Sequence, residues 1–328
     1  MPANVQTMAY VGKEPWHGLG TKVEQVVHAD AMMRAAGLDW EVIKRPARGA
    51  KPLRTRADGR ELFARYEIAR LPRAGTQEQE VVLGIVTDRY APLQNHEAFS
   101  FFDPIVGKKA AFFETAGVLG EGERVWVMAK MPDMIQVVRG DECQKYLLLS
   151  NTHTGQGSVI VKFTAIRVVC QNTLMLATDD GQPAFRIRHS KVMTERLQQI
   201  SDLIAIATAV YKEAATLFQK LAHVQLKKDL LDRYLESVFP KTKAQKRNGG
   251  GPPKWAHVLR LLDEMPDLQS NGVRGTMWAA YNAITRFEDY RVVDHETEDA
   301  RLDRVWFGGG ADLKLQALQK AADLVKSI

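Results

Sequence analysis

The 328 residues are enough to bury a sizeable core, and 45% hydrophobic with 26% charged residues is the balance of a globular protein, not a disordered or fibrous one. No apolar run approaches the length of a membrane span, and the opening MPANVQTMAYVG lacks the basic and apolar regions of a secretory signal, so a soluble cytoplasmic protein with no membrane partner is expected. Two cysteines, Cys143 and Cys170, argue against a disulfide framework and for reduced packing thiols, and the net charge of +6 favours a polyanionic partner.

That charge is concentrated. Between Lys44 and Arg73 stand ten basic residues against Asp58, Glu61 and Glu67, a local +7, so the rest of the chain sums to about −1. Eight of the ten are arginines, whose planar forks match phosphate oxygens and stack on bases.

In chain order, residues 1–20 read as an irregular arm, with Trp16 as a buried anchor. Residues 24–36 form a short helix closed by Gly37. Trp40 to Ile43 and residues 62–71 are strands, and the basic, Gly- and Pro-containing segment between them is the tip of a long hairpin. Val81 to Thr87 is a third strand and 94–103 a helix. Residues 110–119 and 123–131 are two more strands, turning at Gly120-Glu121-Gly122.

The stretch Tyr146 to Thr178 opens on the apolar run Tyr146-Leu147-Leu148-Leu149, a buried strand. A turn-rich segment follows, and then the period-two pattern of Val159, Val161 and Phe163. After Arg167 the pattern predicts a helix, with Asn172 and Thr173 as its cap.

Beyond residue 190 the period changes. Leu197, Ile200, Ile204, Ala207, Tyr211, Ala214, Phe218 and Leu221 step by three and four, the mark of one long helix. Leu203, Val210, Leu217 and Val224 widen its stripe, which suits either packing within the chain or self-association into a homo-oligomer. Leu226 to Phe239 is a further helix, 241–253 a basic Gly/Pro linker expected to be mobile, and 254–265, 275–288 and 311–326 complete a helical half. The expected fold class is therefore α+β: residues 1–190 with a largely antiparallel sheet, hairpins and short helices, then a helical domain at 191–328 containing one long helix.

These landmarks carry a family resemblance. Gly37-Leu38-Asp39-Trp40, Thr87-Asp88-Arg89-Tyr90 with Gln94-Asn95, Arg167 to Leu174, Gly275 to Ala283, and Trp306-Phe307-Gly308 resemble, in order, the phage/plasmid-like proteins of domain-of-unknown-function family 932. The resemblance implies a phage, prophage or plasmid context in a bacterial cytoplasm and carries no catalytic assignment. In element order, the front half is similar to ring-forming single-strand annealing recombinases. Those proteins bind DNA along a basic groove beside a β-hairpin.

The expected function is thus binding of nucleic acid, single-stranded DNA in recombination or maintenance. The candidate contacts are Lys44, Arg45, Lys51, Arg48, Arg54, Arg56, Arg60, Arg65 and Arg167, with Trp40, Phe63 and Tyr66 as neighbouring aromatics. The plainer reading of the same stretch is a solvated loop.

Two other classes stay open: a partner-binding protein acting against a host factor, and a nucleic-acid hydrolase. For the hydrolase, Cys170 at a helix start with His153 as base, or the acidic run Asp289, Asp294, His295, Glu296, Glu298, Asp299 and Asp303, are the candidates. The plainer readings are that Cys170 fills the core, Arg167 satisfies carbonyls or a carboxylate, and the acidic run is a solvated loop. No HExxH, CxxC pair or Walker loop is present, and no cofactor or metal is expected.

Overall fold

A computed structural model describes residues 5–12, 20–24, 28–55, 58–59, 61–169, 172–176, 185–190, 203–247, 252–291, 293, 296 and 298–328. The front half is built on an eight-stranded sheet. Its strands, with the numbering used below, are β1 (Val5–Val11), β2 (Thr21–Val23), β8 (Phe112–Leu119), β9 (Arg124–Val138), β10 (Asp141–Thr152), β11 (Val159–Arg167), β12 (Thr173–Met175) and β13 (Phe185–Ile187). The order is β12-β11-β10-β9-β8-β1-β2, with β13 also on β11. Only β1 and β2 run parallel; the other pairs in this sheet are antiparallel.

A second, three-stranded sheet has the order β3-β6-β7, from β3 (Val42–Pro46), β6 (Tyr66–Arg70) and β7 (Val81–Val86). Between β3 and β6 the chain projects as a two-stranded arm, β4 (Pro52–Thr55) with β5 (Glu61–Phe63). The long basic hairpin is therefore present, with its tip a small ribbon of its own. Three short helices belong to this half: α1 (Ala29–Ala35), α2 (Asn95–Ser100) and α3 (Asp103–Gly107).

The back half is helical: α4 (Leu203–His223), α5 (Lys228–Val238), α6 (Lys243–Arg247), α7 (Pro253–Glu264), α8 (Met277–Tyr290), α9 (Glu298–Trp306) and α10 (Gly309–Lys326). The α+β class and the long helix hold. Ala207, Val210, Tyr211, Ala214, Phe218 and Leu221 of α4 are all buried in the main core. Of the residues that widen the stripe, Val210 is buried, and Leu217 and Val224 are partly buried against the same core. Leu197 and Ile200 lie outside the described residues. One continuous core runs from Ala9 to Ala321, joining one face of the large sheet to the helices. A second cluster lies apart from it, with Trp126, Met128, Tyr146, Leu148 and Ile160 against Leu302 and Phe307.

Several expectations need correction. The arm at 1–20 contains β1, a strand that β8 and β2 flank on either side; Trp16 lies outside the described residues. Among the described residues up to Leu176, no helix follows Arg167. The chain turns, with Arg167 N–H donating to Asn172 O at 3.1 Å, and returns as β12. Asn172 caps no described helix, because Thr173 opens the strand β12; its Nδ2 donates to Asn282 O and Thr285 Oγ1 of α8, each at 3.1 Å.

Three carboxylates of the acidic run are not free groups of a solvated loop: Asp289 lies in α8, Asp303 in α9, and these two and Glu296 each meet a cation. Asp289 holds Lys314 at 2.5 Å, Glu296 holds Arg304 at 2.7 Å and Asp303 holds Arg124 at 2.7 Å. In the 241–253 linker, Lys243–Arg247 forms α6, and Lys241 sits 4.4 Å from the Trp255 ring centre; Gly249 to Gly251 lie outside the described residues.

Candidate nucleic-acid interface

The basic hairpin sorts its charges into two sets. Alternation along β3 and β6 places Arg45 opposite Glu67, and Ile85 of β7 stands next in the row. Arg45 Nε donates to Glu67 at 2.7 Å and NH2 to Glu80 at 2.5 Å. This guanidinium holds the Glu67 carboxyl below its usual pKa. Lys44 Nζ donates to the carbonyls of Asp88 and Tyr90 at 2.5 and 2.8 Å and lies over the Tyr66 ring. Arg70 and Arg73 both reach Glu78.

Four of the ten cations thus serve the small sheet itself. Extending the count to Glu80 gives ten basic and five acidic residues, a local +5. The other set faces water: Arg48, Lys51, Arg54 and Arg65 are exposed, and no carboxylate among the described residues forms an ion pair with them. Arg56 and Arg60 lie outside the described residues.

Arg48, Lys51 and Arg65 line a cleft of about 490 Å³ at the root of the arm, together with Glu67, Ile85, Ala47, Ala50 and Ala64. The part at Ala47 and Ala50 forms because the chain turns tightly after β3: Gly49 takes φ +77° and Ala50 N–H closes on Ala47 O at 2.8 Å. Ala47 N–H binds Arg65 O across the hairpin at 3.1 Å. Sequence reasoning found the cations but not the cleft, whose lining draws on β6 and β7 as well.

The aromatics do not line this surface. Trp40 and Tyr66 are buried, and Phe63 packs edge-on against Tyr66.

Arg167 also leaves the set. Its guanidinium is wholly enclosed, bound to Asp141 through Nε at 2.7 Å and NH2 at 2.8 Å, to Asp267 Oδ2 through NH1 at 2.5 Å, and to Asp267 O. The plainer reading, a carboxylate and carbonyl partner, is the one the geometry matches. Trp278 Nε1 donates to the same Asp141 at 2.8 Å. The segments 167–174 and 275–283 therefore meet around one buried ion pair, and again at Asn172 and Asn282.

His153, the candidate base, is fully buried beneath Trp40. Its Nε2 lies 3.1 Å from Asn95 Oδ1 and 3.4 Å from Asn151 Nδ2. Burial, and secondarily the nearby His189, push its pKa down to about 3. Cys170 lies outside the described residues, as do Asp294 and His295. Among the described residues no group of His, Cys, Asp and Glu is placed to hold a metal ion, and no helix is long and apolar enough to cross a membrane.

Residues 82–306, more than half the chain, match the family model described as Domain of unknown function (DUF932). The chain belongs to the DUF932 family. The matched span contains Arg167, Asp141, Asp267 and Trp278, so the buried ion-pair cluster lies within the DUF932 region. The exposed cations of the arm precede it, which sets the arm apart from the matched part of this DUF932 protein. No curated protein and no solved structure matches the chain.

Proposed function

We propose that this DUF932 protein binds nucleic acid, preferably single-stranded DNA, through the arm and cleft at 44–73. The biological setting in this reading is recombination or maintenance of phage or plasmid DNA in a bacterial cytoplasm. The observation that carries the reading is the segregation of charge. Arg48, Lys51, Arg54 and Arg65 are exposed, and no carboxylate among the described residues forms an ion pair with their side chains; Arg54 lies in the ribbon and the other three flank its root. Cations that serve only to hold a fold acquire partners, as Arg45, Arg70 and Arg73 do here. Exposed arginines on and beside a narrow ribbon can follow a phosphate backbone without demanding a base sequence. The buried Trp40 and Tyr66 leave stacking to the guanidinium planes, so electrostatics supplies most of the affinity.

The test is fluorescence anisotropy of a labelled, unstructured DNA oligonucleotide at low salt, with the wild-type chain and with Arg48, Arg54 and Arg65 replaced together by Ala. Binding by the wild type and its loss in the triple variant is the expected result. Absence of wild-type binding would bring forward the partner-binding reading.

A further inference from the structure

The cleft has features that backbone binding alone does not need. Its volume of about 490 Å³ falls within the ~300–1,000 Å³ range of pockets that take small ligands. Three cations, Arg48, Lys51 and Arg65, line it, together with the small or apolar Ala47, Ala64 and Ile85. Ile85 is 53% exposed, an apolar surface that the described residues leave half open.

Beside Ile85 is the carboxylate of Glu67. Its Oε1 accepts from Arg45 Nε at 2.7 Å and its Oε2 from the Arg48 backbone N–H at 3.3 Å. Glu67 is only 7% exposed, but an ionised carboxylate has about four acceptor sites, and the described residues take two of them. Cations, an apolar surface and an acceptor-only group lining one cleft make up a site for a phosphate-linked base.

We infer that the cleft takes one nucleotide of the bound strand and that Glu67 selects guanine over thymine there, an inference that rests on the nucleic-acid reading above. The cations of the cleft hold the phosphates on either side of the nucleotide, and the base lies against Ile85 and the alanines. Guanine presents two adjacent donors, its ring N1–H and exocyclic N2–H, which suit a carboxylate with acceptor sites to spare. Thymine presents one N–H between two carbonyl oxygens, and those oxygens are repelled by the carboxylate. Discrimination thus comes from an attraction and a repulsion at the same group.

The experiment compares two labelled 12-mers, all thymidine and thymidine with a single central guanosine, by anisotropy at fixed salt. The guanosine oligonucleotide is expected to bind about tenfold tighter, toward the low end of what one bidentate base contact provides. Glu67→Gln should bring the two affinities together. Because Glu67 also anchors Arg45, a second variant is used: Ala64→Leu, which narrows the cleft and removes no charge. It should erase the preference while leaving the salt dependence of all-thymidine binding unchanged. Equal wild-type affinity for both 12-mers, with binding still lost in the Arg48, Arg54 and Arg65 triple variant, would overturn this inference and leave the hairpin reading standing. A preference that survives Ala64→Leu and Glu67→Gln would overturn it as well. No binding of either 12-mer at low salt would overturn both readings.

Discussion

Gly84 and Thr154 meet backbone to backbone: a Cβ on Gly84 would stand 2.2 Å from the Thr154 carbonyl oxygen. The contact joins the small sheet that carries the basic arm to the β10–β11 loop of the large sheet. A Cβ on the neighbouring Gly155, at φ +79°, would stand 2.4 Å from the Cγ1 methyl of Val86. The absent side chain is what lets the two sheets dock, so Gly84→Ala must push them apart or bend β7. Overpacking of this kind costs about 1–3 kcal/mol. The variant should show a lower urea midpoint and faster proteolysis of the 44–80 region, and an unchanged midpoint would refute the docking role.

His153 gives the stability a pH dependence whose sign follows from burial. Its pKa of about 3, and that of about 4 for His189, lie well below the ordinary 6.5. Between those values and about 6.5 the unfolded chain takes up protons that the folded chain refuses. Both contributions are therefore complete above about pH 6.5 and are lost progressively as the pH falls toward 4 and 3. At about 1.4 kcal/mol per unit, the loss by pH 4.5 is on the order of a few kcal/mol. Urea midpoints at pH 7.0, 5.5 and 4.5 should fall more steeply for the wild type than for His153→Gln. Parallel curves would show that His153 titrates normally and is not sealed in.

How much of this was legible in the sequence depends on how far apart the partners lie. The helix α4 was readable because Ala207, Tyr211, Ala214, Phe218 and Leu221 repeat locally, and local periodicity alone specifies a helix face. The hairpin was readable because Gly and Pro punctuate its tip. Arg167 was misjudged because Asp141 is 26 residues away and Asp267 is 100 away, so nothing near it announces an ion pair. The helix expected after Arg167 failed for the same reason. Asn172 and Thr173 have the composition of a cap, but their partners Asn282, Thr285 and Asp289 lie more than 100 residues along the chain. Tertiary hydrogen bonds overrode a local preference worth about 1 kcal/mol. The cleft was illegible because its lining comes from three different strand ends.

The Arg167 cluster makes a third expectation. Arg167 and Asp141 are both enclosed, and Trp278 Nε1 leans on the same carboxylate. Replacing Asp141 by Asn leaves a guanidinium in the core with half its neutralising charge. Removing one partner of a buried pair costs about 3–5 kcal/mol. Chemical denaturation should show a loss of that order for Asp141→Asn. Oligonucleotide affinity measured where the variant is still folded should be unchanged, because the pair lies away from the arm surface. A stable variant with weakened binding would return Arg167 to the interface.

The exposed cations of the arm fix the last expectation numerically. Each phosphate neutralised on a single strand contributes a slope of about −0.7 to log K against log salt. With Arg48, Lys51, Arg54 and Arg65 as contacts, the described residues imply a slope of roughly −3. Arg45 should add little, since Glu67 and Glu80 already neutralise it. Replacing Arg48, Arg54 and Arg65 by Ala should flatten the slope by about two, and replacing Arg45 alone should leave it nearly unchanged. The discriminating measurement is the same anisotropy titration at four salt concentrations for the three proteins. If Arg45→Ala flattens the slope as much as the triple replacement does, the division into structural and free cations is wrong, and the interface runs along β3 and not along the arm.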